Sequence, residues 1–204
     1  MSIQIPEKLK PFFIWFAVTA AIKAISPSFS GLSGNLSSLF TGVILIYTPC
    51  LFYWYRREKM AFLRGKTLTQ SLFWFLAVAL ASSIAYVIFL KLAGGMFLSE
   101  KIRLLSNAPS LKFWLSSFIV IALPEEFFFR GFLYEMIEGS AWKKIVVTSI
   151  LFSITHVVIG YSLLRLLTVL PGIALGYLRH RTGEIFTPAI LHNFFNLIHW
   201  ASSL

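Results

Sequence analysis

The chain contains no aspartate, and its eight acidic residues are all glutamates. That removes aspartyl intramembrane proteolysis from the possible chemistries. It has one cysteine, Cys50, which excludes an internal disulfide and a cysteine zinc cluster. Cys50 sits in the apolar "IYTPCLFYWY" with no histidine or other base nearby, so it reads as a buried small hydrophobe. No His-Glu-x-x-His occurs, so the usual zinc-peptidase helix is missing. There is no internal repeat and no low-complexity linker. Charge is scarce as well, at 13% of residues, where a soluble domain carries about a quarter. With 57% hydrophobic residues and a mean hydropathy of +0.78, this is the composition of a membrane protein. Its 204 residues allow one helical bundle and no separate soluble domain.

What charge there is has a pattern. The net charge of +10 is not spread as a nucleic-acid groove needs. It bunches at the ends of apolar segments, most densely in "YRREKMAFLRGK" (Arg56, Arg57, Lys59, Arg64, Lys66), as in cytoplasmic loops of membrane proteins. Runs of about 20 apolar residues can cross a bilayer. Candidates lie near 11–25, 35–55, 69–93, 111–137, 141–160, 163–180 and 185–203. The expected fold is therefore all-α, a polytopic membrane bundle of about seven transmembrane helices. The lysine and arginine bias puts the N-terminus in the cytoplasm, with Lys143, Lys144, Arg179 and Arg181 on that same side. The opening "MSIQIPEKLKPFFIWF" could pass for a signal peptide, but pairing the crossings favours a retained first span. The segment 94–110 is too polar to cross and reads as interfacial. The chain thus divides into N-terminal spans over 1–110 and a helical core over 111–204, within one integral-membrane unit.

Against that scarcity, "LPEEFFFRGF" (123–132) spends two acids in an apolar run, where an ionised carboxylate is costly. At about 100° per residue, Glu126 and Arg130 lie one turn apart on one helix face and can pair. Glu125 points elsewhere and has no partner in its own helix. Pro124 just ahead weakens the local hydrogen-bond ladder. Two later spans add His156, one turn after Phe152, and His192, one turn before Asn196. Counted from the cytoplasmic ends, these residues fall within about 12 Å of one another along the membrane normal.

Polar residues at that depth can simply join helices, by bonds worth about 1 kcal/mol. Ionisable ones are by default functional. A buried carboxylate is a general base, a histidine can share a water with it, and a second histidine with an asparagine amide supplies oxyanion donors. Together they describe hydrolysis of an acyl bond, most simply a peptide. Two histidines and a glutamate could also bind zinc. Asparagine is a poor zinc ligand, however, and Arg130 repels a cation, so no metal and no cofactor are expected. Two other classes compete. A catalytically inactive immunity or scaffold protein would bind peptides on the same fold. A proton-coupled carrier would relay protons through Glu and His but is expected to show an internal repeat.

These residues resemble the CPBP family of intramembrane glutamic proteases, which includes CAAX prenyl-protease homologues and bacteriocin-processing enzymes. The family's Glu-Glu-x-x-x-Arg matches Glu125, Glu126 and Arg130; its Phe-x-x-x-His matches Phe152 and His156; its His-x-x-x-Asn matches His192 and Asn196. The approach "PGIALGYLRHRTGEIFTPAILHNFFN" is also similar, with Gly176, Thr182 and Gly183 where members turn into the last helix. The resemblance covers roughly 111–200. It implies that Glu125 activates water with His156, that His192 and Asn196 form the oxyanion hole, and that Glu126 with Arg130 holds the site in shape. Phe152 is then packing, His180 an exposed loop residue, and His199 a packing or interfacial one. The implied partners are a membrane-associated peptide or protein substrate and the lipid bilayer, with no nucleic acid. The compact length suggests a member from a prokaryotic plasma membrane. "GLSG" at 31–34 also matches the Gly-x-Ser-Gly of rhomboid serine proteases, but Ser33 lies in a polar loop ahead of the second span and reads as loop.

Overall fold

The computed structural model describes residues 6–25, 34–92, 110–160 and 162–201. Ser33 and nearly all of the expected interfacial segment 94–110 lie outside the described residues, as does the side chain of His199. The described residues form helices and turns, with no strand among them. Seven helical rods follow one another: α1 (Lys10–Ile25), α2 (Gly34–Arg56), α3 (Leu68–Leu92), a composite α4, α5 (Ala141–Gly160), α6 (Val169–Thr182) and α7 (Phe186–Ala201). A 3-10 segment, Leu163–Thr168, leads into α6, so the apolar run over 163–180 is a bent element rather than one straight span. Among the described residues, three helices are long and apolar enough to cross a membrane: Leu36–Arg56, Leu68–Ile88 and Ala141–Gly160.

The strongest physical sign of a bilayer is α3. Its Leu68–Ile88 stretch has a mean hydropathy of 2.1, yet only 11% of it is buried inside the protein. Leu72, Phe73, Leu76, Leu80 and Ile84 all face outward. A surface that apolar is unstable in water and at home in lipid.

The core instead collects on α4, whose middle is buried almost without interruption from Phe127 to Tyr134. This rod alternates in winding: Leu111–Ser117 is α, Phe118–Ala122 is π, Leu123–Glu126 is α, Phe127–Leu133 is π and Tyr134–Met136 is α. The wider π turns bracket Pro124 and the two glutamates. Pro124 has no N–H for the ladder, which favours re-winding beside it. The 100°-per-residue reckoning therefore fails locally, although Glu126 and Arg130 still meet.

Small residues let the neighbours approach. On α2, a Cβ added to Gly42 would lie 2.7 Å from the Val120 carbonyl oxygen, one turn ahead of Pro124. Gly42→Val is expected to push α2 off α4 and cost about 1–3 kcal/mol of overpacking. Thermal unfolding of the purified protein reads this directly, and an unchanged midpoint would refute the close approach. On α6, Gly172 and Gly176, four residues apart, pack against Ser149 and Ile145 of α5. Gly176 is thus a crossing point in mid-helix and not part of the turn into α7. That turn is made by Gly183, in the left-handed region at φ 82°, with Thr182 donating to the Leu178 carbonyl.

Two basic residues read as loop charges are placed otherwise. Arg179 is buried near the end of α6; its Nη2 pairs with Glu135 at 2.6 Å and its Nε donates to the Arg130 carbonyl at 3.0 Å. His180 is exposed, as expected, but in the last turn of α6 rather than in a loop. The basic 56–66 connection is also no loose tether. Its Phe62 is fully buried and packs against Tyr53 and Phe127.

Candidate active site

The three sequence clusters converge. Glu125, Glu126 and Arg130 come from α4, His156 from α5 and His192 from α7. Glu126 and Arg130 are both wholly buried, and Arg130 Nη1 donates to Glu126 Oε1 at 2.9 Å. Arg130 Nη2 donates to the carbonyl of Gly172 at 3.2 Å. A Cβ on Gly172 would lie 3.3 Å from that same nitrogen, so glycine gives the guanidinium room. The Arg130 guanidinium also lies 4.4 Å from the centroid of the Phe152 ring, within reach of a cation–π contact.

Glu126 has a second partner. His192 Nδ1 lies 2.8 Å from the Glu126 Oε1 that also accepts from Arg130. With Arg130 donating to the same oxygen, Glu126 Oε1 is placed as the acceptor and His192 Nδ1 as the donor of this contact. His156 is fixed in the same sense: its Nδ1 lies 2.9 Å from the Phe152 carbonyl, which can only accept. Each ring therefore turns its Nε2 inward.

Both Nε2 atoms face Glu125. His192 Nε2 lies 3.5 Å and His156 Nε2 3.8 Å from Glu125 Oε2. That oxygen is buried and has no hydrogen-bond partner among the described residues. In their neutral Nδ1–H forms, both imidazoles point lone pairs at a carboxylate. Glu125 Oε2 thus lies within 3.8 Å of two imidazole nitrogens.

Phe152 is the wedge in this arrangement. Its ring contacts His156 at a centroid distance of 4.2 Å and meets His192 edge-on at 5.6 Å. Phe127, Phe128 and Phe129 of α4 are buried beside the glutamates. Asn196, one turn after His192, has a buried Nδ2 with no acceptor among the described residues. The cluster opens on one side: Glu125, His156 and Phe129 line a cleft of about 180 Å³, with Ser37, Ser38 and Thr41 of α2 among its other walls.

Sequence reasoning missed several supports. Gly172 supplies an acceptor to Arg130, and only the Gly-x-x-x-Gly spacing with Gly176 hints at it. Asn193, beside His192, is fully buried and ties α7 to the Trp114 carbonyl at 3.2 Å. Trp15 of α1 donates to Thr155 Oγ1 at 2.8 Å, steadying the helix next to His156. Glu184 caps α7 by accepting from the backbone N–H groups of Phe186 and Thr187, which suits an anion at a helix N-terminus. Among the described residues no group of three or more side chains is disposed to hold a metal ion.

Residues 107–198 match the family described as Rce1-like, type II CAAX prenyl endopeptidase Rce1-like. The match spans the rod with the two glutamates, both histidines and Asn196. No curated protein and no solved structure matches the chain.

Proposed function

We propose, from the match of residues 107–198 to the Rce1-like CAAX-protease family, that the chain is an integral membrane peptidase that hydrolyses a membrane-associated protein or peptide with glutamate-activated water. The observation that carries this reading is the division of labour between adjacent acids. Glu126 Oε1 is held by both Arg130 and His192, whereas Glu125 has no hydrogen-bonded partner among the described residues, faces two imidazole Nε2 atoms and lines an open cleft.

A water entering the cleft meets Glu125 and His156 together. Glu125 takes one of its protons, with His156 helping to hold the water, and the oxygen attacks the scissile carbonyl carbon. The carbonyl pair moves onto oxygen, where His192 and Asn196 are the donors that stabilise it. Because its Nδ1–H is committed to Glu126, His192 can donate from Nε2 only as the imidazolium. When the C–N bond breaks, the proton held at Glu125 passes to the departing amine. Glu126 and Arg130 act as positioning residues that fix the His192 ring, and the phenylalanine walls exclude bulk water.

Substrate trapping tests the reading. Glu125→Gln protein, expressed in its own membrane, should co-purify with intact peptide substrates, while membranes with the wild type contain the cut products. Identical peptide processing in both membranes would sink the proposal.

A further inference from the structure

The cleft that admits water to Glu125 also has a cationic wall, supplied by Arg165 from the 3-10 segment Leu163–Thr168. Arg165 is exposed, and among the described residues no carboxylate pairs with its guanidinium. It does not dangle. A Cβ added to Gly160 would lie 2.3 Å from Arg165 Nε and 2.4 Å from Cζ, so the side chain is folded flat across the last residue of α5. A larger side chain at Gly160 would have to displace the guanidinium from this position. Gly160 lies one turn after His156, so the cation sits about 6 Å along the helix from the catalytic histidine.

The backbone beneath it is tied down too. Ser153, buried on α5, donates to the carbonyls of Leu166 at 2.9 Å and Arg165 at 3.4 Å. Thr168 Oγ1 donates to the Arg165 carbonyl at 2.7 Å. A flexible arginine at the end of a membrane helix would reach out to solvent or headgroups. This one lies along the cleft wall, with Ser37 and Thr41 among the other lining residues. Its donors form a planar fork that matches a carboxylate. Glu125 does not fill that role, because the two form no ion pair.

We propose that Arg165 is the substrate's carboxylate anchor, gripping an anionic group about one helical turn from the bond presented to Glu125. This deepens the peptidase reading and rests on it for the identity of the scissile bond. The carboxylate comes from a free peptide C-terminus or from an acidic side chain near the cut.

The test uses full-length Glu125→Gln protein in lipid nanodiscs, challenged with randomised octapeptides. One pool ends in free acids, one in C-terminal amides without acidic residues, and one in amides with a glutamate in the last three positions. Retained peptides are counted by mass spectrometry. Retention of the acid pool or the glutamate pool about tenfold or more above the neutral amides is expected, and the pool that wins identifies the source. Adding Arg165→Gln should abolish the preference, and Arg165→Lys should keep part of it. Equal retention of all pools, no retention, or a preference unchanged by Arg165→Gln would each overturn the assignment. A preference for carboxylates together with no cleavage by the wild type would refute the peptidase reading while leaving the anchor intact.

Discussion

Glu125→Gln protein is expected to insert, fold and melt like the wild type while hydrolysing its substrate about a thousandfold more slowly or worse. The two halves of that statement have separate causes. Among the described residues Glu125 Oε2 makes no hydrogen bond, so exchanging carboxylate for amide breaks no hydrogen bond at that oxygen. The reaction, by contrast, loses the only carboxylate in the cleft that can accept a proton from water. Paired measurements of unfolding midpoint and turnover check it. If activity fell together with stability, Glu125 would be a structural acid. If turnover persisted, water would have to be activated elsewhere.

Arg130→Met is expected to do the opposite, striking stability first. It leaves Glu126 wholly buried with His192 as its one remaining partner. Breaking a buried ion pair from one side costs about 3–5 kcal/mol, because the remaining charge is uncompensated. The Phe152 ring and the Gly172 carbonyl lose their contacts with the guanidinium as well. Adding Glu126→Gln should recover much of that stability by removing the stranded charge. It should not recover activity, since His192 then lacks the carboxylate that orients it. Unfolding in detergent by chemical denaturant, read for the single and double variants, decides the matter. An Arg130→Met protein as stable as the wild type would mean that the buried pair supports nothing.

The helices were legible because membrane sequence is a strong signal: long apolar runs leave few alternatives when every backbone group must be satisfied internally. Among the described residues the rods fall within a few residues of the expected segments except α6, which starts at Val169 rather than near 163, and three meet the length and hydropathy of a crossing helix. The site clusters were legible for the same reason, since a charge in an apolar run stands out. The π turns around Pro124 were not, because a change of winding depends on which carbonyls find other partners, and those lie on other helices. Nor were the supports. Gly172, Asn193 and Thr155 are small polar or neutral residues of a kind found throughout such chains, and only their neighbours distinguish them. Arg179 misled for a related reason: a basic residue near a helix end resembles a loop charge until Glu135 and the Arg130 carbonyl are placed beside it.

The amino-acid sequence alone determined that this is a helical membrane protein with two glutamates, an arginine, two histidines and an asparagine at similar depth. It also separated the two acids, since Glu126 and Arg130 are four residues apart. Only the tertiary structure decided which atoms of these side chains meet. Distances of a few ångströms between α4, α5 and α7 commit both histidine Nδ1 atoms, turn both Nε2 atoms toward Glu125, and bring Arg165 to the same cleft. Sequence spacing sets the contacts within a helix, whereas proton positions depend on contacts between helices, and those exist only once the bundle has packed.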